Sequence, residues 1–283
     1  MPTTTSTNLI IPEVWADLSQ AQFTGAVRVL NSGAVVQDDT LVGQPGDEIS
    51  FPKWDAIGEL DDLTEGTAMS TSIMGQRASK SMIKEAGKAV EITDRAILTG
   101  LGDPRAEAQR QFGILSARKV DASLIAQAQA DETAQGGGNP LAFTAGAGTT
   151  KLSWPVLVDA LAVFGDEWEP SEFAGLFINS AQQVDVFKDS QFIEASKLGA
   201  DTPVRTGQIG AVAGVPVIVT NRIAVKKFLL LKKNSMGALY KRRPLVETDR
   251  DILKRTTVVT TNMHYATKRL DDRGVCVGTL AAA

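Results

Sequence analysis

The segment from residue 33 to residue 93 constrains this chain more than any other. GDEISFPKW (Gly46 to Trp54) alternates Ile49 and Phe51 with Glu48 and Ser50. That period of two predicts a strand, and Pro52 confines it to an edge. DAIGELDDLTEGTAMS follows, acidic and punctuated by glycine, and TSIMGQRASKSMIKEAGKAVEIT then resumes a strand pattern with Met82, Ile83, Val90 and Ile92. Two extended arms and a long tip make a large β-hairpin with too few apolar residues to bury both faces. An isolated two-stranded ribbon is marginal in water, so this one is expected to lean on a partner.

Residues 1 to 8 are small and polar and read as a flexible arm. From Pro12 to Leu30 the apolar spacing (Val14, Leu18, Phe23, Val27, Leu30) suggests a short helix or an arm lying on another surface. Asp103 and Pro104 open a helix, the first as N-cap and the second in the first turn. Its pattern runs through Phe112, Leu115, Ala122 and Ile125 to about residue 132, roughly 43 Å at 1.5 Å per residue, until Gly136 to Gly138 and Pro140 stop it. Residues 135 to 150 read as a loop or hinge. From Lys151 the pattern becomes α/β. Ser153 is expected to cap a helix ending at Gly165, AGLFIN (174–179) is a short buried strand, and Ser180 is a candidate cap for a second helix. VPVIVT (215–220) is another strand, and KFLLLKK, GALYKRRP, TTVVTTNMHYATKR and GVCVGTL continue in strands after Arg222.

With 283 residues, 43% hydrophobic and 22% charged, the chain can bury a substantial core and is not a disordered protein. A single cysteine, Cys276, excludes an intrachain disulfide and a cysteine-based zinc site; a single histidine, His264, leaves a two-histidine metal centre possible only across subunits. The N-terminus has no basic, apolar leader, and no apolar run approaches the roughly 20 residues of a membrane span. The expectation is a soluble, reduced, intracellular protein without a membrane partner.

Candidate chemistry is sparse. His264 sits in a strand pattern and lacks a G-x-S-x-G nucleophile elbow elsewhere in the chain, so a structural role is expected. Gly207, Gly210 and Gly214 precede a strand, whereas a dinucleotide loop needs a strand before it and a helix after it, so they read as turn glycines. The acid pairs Asp38/Asp39, Asp61/Asp62 and Asp271/Asp272 read as solvated loops, and Cys276 in GVCVG as a buried, inert thiol. No catalytic, cofactor-binding or metal-binding residue is assigned.

Charge placement says more. From Asp38 to Gly66 there are nine acids (Asp38, Asp39, Asp47, Glu48, Asp55, Glu59, Asp61, Asp62, Glu65) and one base, Lys53. From Arg222 to Arg255 there are eleven bases against three acids, within a net charge of -4. One reading is nucleic-acid binding by the basic segment, which offers only Phe228 and Tyr240 for stacking. A second is head-to-tail pairing of the acidic tip of one subunit with the basic strands of the next, each exposed pair contributing about 0–1 kcal/mol. A third is that both are solvated faces. The pairing reading nominates Asp47, Glu48, Trp54, Asp61, Asp62 and Glu65 on one side of a subunit interface and Lys241, Arg242 and Arg243 on the other.

Several stretches together resemble the major capsid proteins of tailed phages, which share the Hong Kong 97-type fold. GDEISFPKWDAIGELDDLTEGTAMS is similar to that family's extended loop. KEAGKAVEITDRAI and the helix from Pro104 resemble the approach to its peripheral domain and spine helix. RTGQIGAVAGVPVIVTNRI resembles an axial-domain stretch, and RRPLVETDRDILKRTTVVTTNMHYATKRLDDRGVCV the closing peripheral strands. The resemblance implies an α+β subunit: an N-terminal arm (1–32), an extended β loop (33–93), a peripheral domain with the spine helix (94–150) and C-terminal strands (225–283), and an axial domain (151–224). It further implies a non-enzymatic subunit of hexamers and pentamers in an icosahedral shell around double-stranded DNA, with the loop lying across a neighbouring subunit. The chain shows no long built-in scaffold, so a separate scaffolding protein and a portal are the implied partners, with assembly in the host cytoplasm and residence in the virion. Some members form covalent Lys–Asn links; Lys53 lies in the loop, but no partner is assigned to it. An encapsulin-like bacterial compartment keeps the fold with a different role, and a soluble α/β hydrolase or transferase is the rival from another class.

Overall fold

A computed structural model describes residues 28–39, 42–43, 45–54, 57–58, 60, 62, 65–66, 68–99, 103–135, 137–189 and 211–281. The expectations for residues 1–27, for Asp61 and for the glycines at 207 and 210 lie outside these. Twelve strands among the described residues form two sheets and one separate ribbon. The ribbon pairs β2 (Glu48–Trp54) with β3 (Gln76–Met82), antiparallel, from Glu48 opposite Met82 to Trp54 opposite Gln76. It is the hairpin expected from the alternation. Ile49, Phe51 and Lys53 share its half-buried face, and Glu48, Ser50, Pro52 and Trp54 its exposed one.

One residue beyond the ribbon, the chain becomes β4 (Lys84–Thr93), the edge of a four-stranded sheet. Its centre is the long hairpin of β10 (Met236–Asp251) and β11 (Thr256–Arg269), and β1 (Val35–Asp38) lies parallel on the far edge of β10. The ribbon is therefore an extension of this sheet's edge. The second sheet has six strands in the order β5 (Leu141–Thr144), β12 (Val275–Thr279), β9 (Lys227–Lys232), β6 (Phe173–Ile178), β8 (Val215–Val219), β7 (Ala211–Val212). The segment 225–283, read above as one block, is thus divided: β9 and β12 pair with β6 and β5, while β10 and β11 form the four-stranded sheet. The apolar runs of β6 and β9 suit central strands covered on both faces.

Two helices begin between the sheets in sequence: α1 (Asp94–Thr99), then α2 (Pro104–Gln129). Asp103 caps α2 as expected, its carboxylate accepting the Arg105 N–H at 2.9 Å. The helix is 26 residues, about 39 Å at 1.5 Å per residue. It stops at Gln129 rather than near 132 because Ala130 is extended and the chain turns Glu132 inward, where Lys268 neutralises it. Ala117, Val120, Leu124, Ile125 and Ala128 pack against Met236, Tyr240, Met263 and Tyr265 of one sheet and Phe177, Leu229, Leu231 and Val275 of the other. The helix thereby joins the sheets into one core. The opposite face of the six-stranded sheet (Phe173, Leu176, Ile178, Phe228, Leu230, Cys276) is covered by Val156, Leu157 and Ala160 of α3 (Trp154–Leu161) and by Phe164.

Two capping expectations change. Ser153 precedes α3 but its side chain caps nothing; the Trp154 N–H is taken by the Asp189 carboxylate at 2.6 Å. Asn179, not Ser180, caps α4 (Ser180–Lys188), in a reciprocal arrangement with Gln182. The Asn179 amide also donates to the Ile223 carbonyl at 2.8 Å, tying the helix start to the turn after β8. Ala213 and Gly214, both at positive φ, form the tight turn joining β7 to β8, the turn role expected of Gly214.

Candidate assembly interface

The ribbon's direction is set at its root by charged groups removed from water. Lys268 and Arg269 end β11, and both side chains are fully buried. Lys268 Nζ lies 2.8 Å from a Glu132 carboxylate oxygen and donates to the Lys80 carbonyl of β3 at 3.1 Å. The Arg269 guanidinium donates to the carbonyls of Gln127, Ala128 and Ala130 at the end of α2 and to that of Gly138. The carbonyls of Ala128 and Ala130 lie where a helix terminus leaves acceptors without an intrahelical partner, and a cation there also meets the negative end of the helix dipole. Arg269 Nε donates to Asp272 at 2.6 Å, and the other oxygen of Asp272 takes Lys53 Nζ of β2 at 3.2 Å. A chain of charge thus runs from the helix end through Arg269 and Asp272 to the first ribbon strand. Ser81 Oγ adds a bond to the Thr267 carbonyl at 3.2 Å. Burial works to raise the Asp272 pKa, but the Arg269 hydrogen bond and the charges of Lys53 and Arg269 outweigh it and hold the carboxyl below its usual value.

The ribbon's exposed face and the tip beyond it carry uncovered apolar surface. Trp54 and Met82 are each 65% exposed, and Ile73 is 96% exposed. Of the acids nominated for an interface, Glu48 pairs across the ribbon with Lys80 at 3.2 Å, and Asp47, Asp62 and Glu65 are exposed. The basic side chains nominated opposite them have partners in their own chain. Lys241 donates to the Gly46 carbonyl at 2.7 Å, Arg242 pairs with Glu247 at 3.3 Å, and Arg243 pairs with Asp39 at 2.8 Å while lying over the Tyr240 ring. All three remain on the surface.

Reading the sequence missed the root network. Its one visible signal is a Lys–Arg pair ending an otherwise uncharged strand, followed after Leu270 by Asp271 and Asp272. His264, on β11, has Nε2 3.7 Å from a Glu85 oxygen. Cys276 is buried, and burial pushes its thiol up to about 12, as fits an inert core cysteine. Among the described residues no His, Cys, Asp and Glu side chains cluster to hold a metal, and no helix is long and apolar enough to cross a membrane.

The family model described as "Phage capsid protein" matches residues 78–278, from the second ribbon strand to the last strand of the six-stranded sheet. The chain belongs to the phage capsid protein family. The major capsid protein of Staphylococcus phage phiMR11 is 33% identical over 272 residues, covering 95% of this chain and 93% of that protein. Solved structures share the fold at lower identity. The capsid protein of cyanophage Pam1 superposes with a TM-score of 0.68 at 16% identity, covering 100% of this chain and 97% of its own. That of cyanophage P-SCSP1u gives 0.66 at 16%, covering 88% and 87%. The fold is thus the Hong Kong 97-type α+β capsid fold. This capsid protein is a structural head-shell subunit of a virion, built by self-association, and not an enzyme. Neither the compartment role nor the soluble-enzyme reading is favoured.

Proposed function

We propose that copies of this chain form hexamers and pentamers of an icosahedral head that encloses double-stranded phage DNA. A separate scaffolding protein and a portal take part, and assembly occurs in the host cytoplasm. The ribbon lies across the neighbouring subunit. Asp47, Glu48, Trp54, Asp61, Asp62 and Glu65 contribute from the ribbon and tip, and Lys241, Arg242 and Arg243 from the receiving subunit. The observation that carries this reading is the ribbon itself, rooted rigidly in buried charge yet presenting Trp54, Met82 and Ile73 to solvent. Apolar surface on a two-stranded element is stable only when covered. The intrachain bonds of Arg242 and Arg243 are exposed and therefore weak, so a neighbour's carboxylates can exchange with Glu247 and Asp39 at little cost.

Electron microscopy of the full-length protein, alone and with its scaffold, tests the reading. Rings, shells or tubes are expected. A protein that sediments as a monomer under both conditions would refute it.

A further inference from the structure

The basic segment 222–255 divides into engaged and unengaged charge. Lys232, Lys241, Arg242, Arg243, Arg250 and Lys254 all hold partners within the chain. Arg222, in the turn after β8, instead meets two arginines from distant parts of the sequence. Arg28, where the described chain begins, and Arg118, midway along α2, line the same open cavity of about 630 Å³. All three side chains are exposed, and neither Arg118 nor Arg222 forms a salt bridge with any described residue.

The acid in the cavity does not balance them. Asp121 is 4% exposed, and its Oδ2 accepts the Arg28 backbone N–H at 2.9 Å, so its work is to hold the chain where it meets α2. Among the described residues lining the cavity, three guanidinium groups face one carboxylate, which leaves two positive charges uncompensated. Thr220 and Asn221 add polar groups to the same wall.

We propose that Arg28, Arg118 and Arg222 form a phosphodiester-binding site that holds the backbone of packaged double-stranded DNA without reading its sequence. The inference rests on the proposal that the shell encloses DNA. Guanidinium forks match phosphate oxygens in pairs, and several around one concavity suit a phosphate approached from more than one side. The chain carries a net charge of -4, which repels DNA overall, so close approach needs a local patch of opposite sign. An acidic protein segment is the competing occupant; among the described residues the wall offers it two apolar side chains, Ile114 and Val219, beside the charged and polar ones. The site assigns this side of α2 to the interior of the shell.

The test titrates the full-length protein with short fluorescent duplexes of two unrelated sequences, and with polyglutamate, over a series of salt concentrations. Both duplexes should bind alike. Replacing Arg118→Gln and Arg222→Gln together should lower the slope of log affinity against log salt by about 2, since each phosphate that an arginine neutralises adds about 0.9 to it. A control losing the same charge at exposed lysines outside the cavity, Lys151→Gln with Lys188→Gln, should leave the slope unchanged. An unchanged slope in the arginine variant, or an equal fall in the control, overturns the site. So does a loss confined to polyglutamate, which would assign the cavity to an acidic protein. The unmutated protein supplies a second measurement should the arginine variant misfold: a photoreactive phosphorothioate duplex should cross-link within 114–121 and 219–222, and adducts elsewhere overturn the site. Wild-type shells that form while these tests fail refute the site and leave the capsid reading intact.

Discussion

At the scale of single residues, the buried Lys268–Glu132 pair is the most consequential contact. Two charges out of water are tolerated because each compensates the other, and removing one strands its partner. Lys268→Ala should destabilise the folded subunit by about 3–5 kcal/mol in denaturant unfolding, and Lys268→Met with Glu132→Leu should recover most of that loss. If the double variant were as unstable as the single one, the ion pair would be adding net stability beyond mutual compensation. Asp272 gives a pH signature. Its folded pKa is depressed, so its stabilising contribution is fully present above the unfolded value near 3.9 and is lost as pH falls through the folded value. The stability difference between wild type and Asp272→Asn should be constant near neutrality and shrink below about pH 4. A difference that grew on acidification would contradict the pairing with Arg269 and Lys53.

At the scale of elements, equivalent-looking helix starts differ in what surrounds them. Asp103 caps α2 in the open, so Asp103→Ala should cost about 1 kcal/mol. Asn179 caps α4 while buried and also satisfies the Ile223 carbonyl, so Asn179→Ala removes a cap and leaves a buried acceptor unpaired. Its cost should be about 2–4 kcal/mol. Equal losses for the two variants in thermal unfolding would contradict this ranking. These elements also show where sequence patterns stop being informative. Ser153 and Ser180 have the right chemistry next to a helix start, yet Asp189 and Asn179 do the capping, because a cap is set by backbone direction as well as side-chain type. The hairpin was legible because strand alternation is a local property. The division of 225–283 between two sheets was not, because β9 between its terminal lysines and the first five residues of β10 are both uncharged, buried runs, and nothing local says which neighbour each will join.

At the scale of the whole molecule, the assembly surface should behave differently from the core. Trp54 is mostly solvated in the single subunit, so Trp54→Ala should leave subunit unfolding nearly unchanged while reducing shell yield. Reversing Asp61, Asp62 and Glu65 to lysine should impair assembly, and reversing Lys241, Arg242 and Arg243 to acids in the same chain should partly restore it. Light scattering and electron microscopy read both outcomes, and full shell yield from the first variant would remove charge docking from the account. Because Arg242 and Arg243 already hold partners, their reversal alone should also loosen the stretch around Asp39 and Glu247, separating that effect from docking.

The sequence by itself determined the elements and their polarity: a ribbon that cannot bury itself, a long capped helix, apolar strands fit for a covered sheet, and opposed blocks of charge. Each follows from local periodicity, capping chemistry and composition, which act over a few residues. Only the tertiary structure decided which charges are engaged. Lys53, Glu132, Lys268, Arg269 and Asp272 meet because the end of α2, the end of β11 and the ribbon root converge there, and Arg28, Arg118 and Arg222 share a cavity because α2 crosses beside the turn after β8. A charge's role depends on its distance to partners and to water, and those distances exist only once the chain has folded.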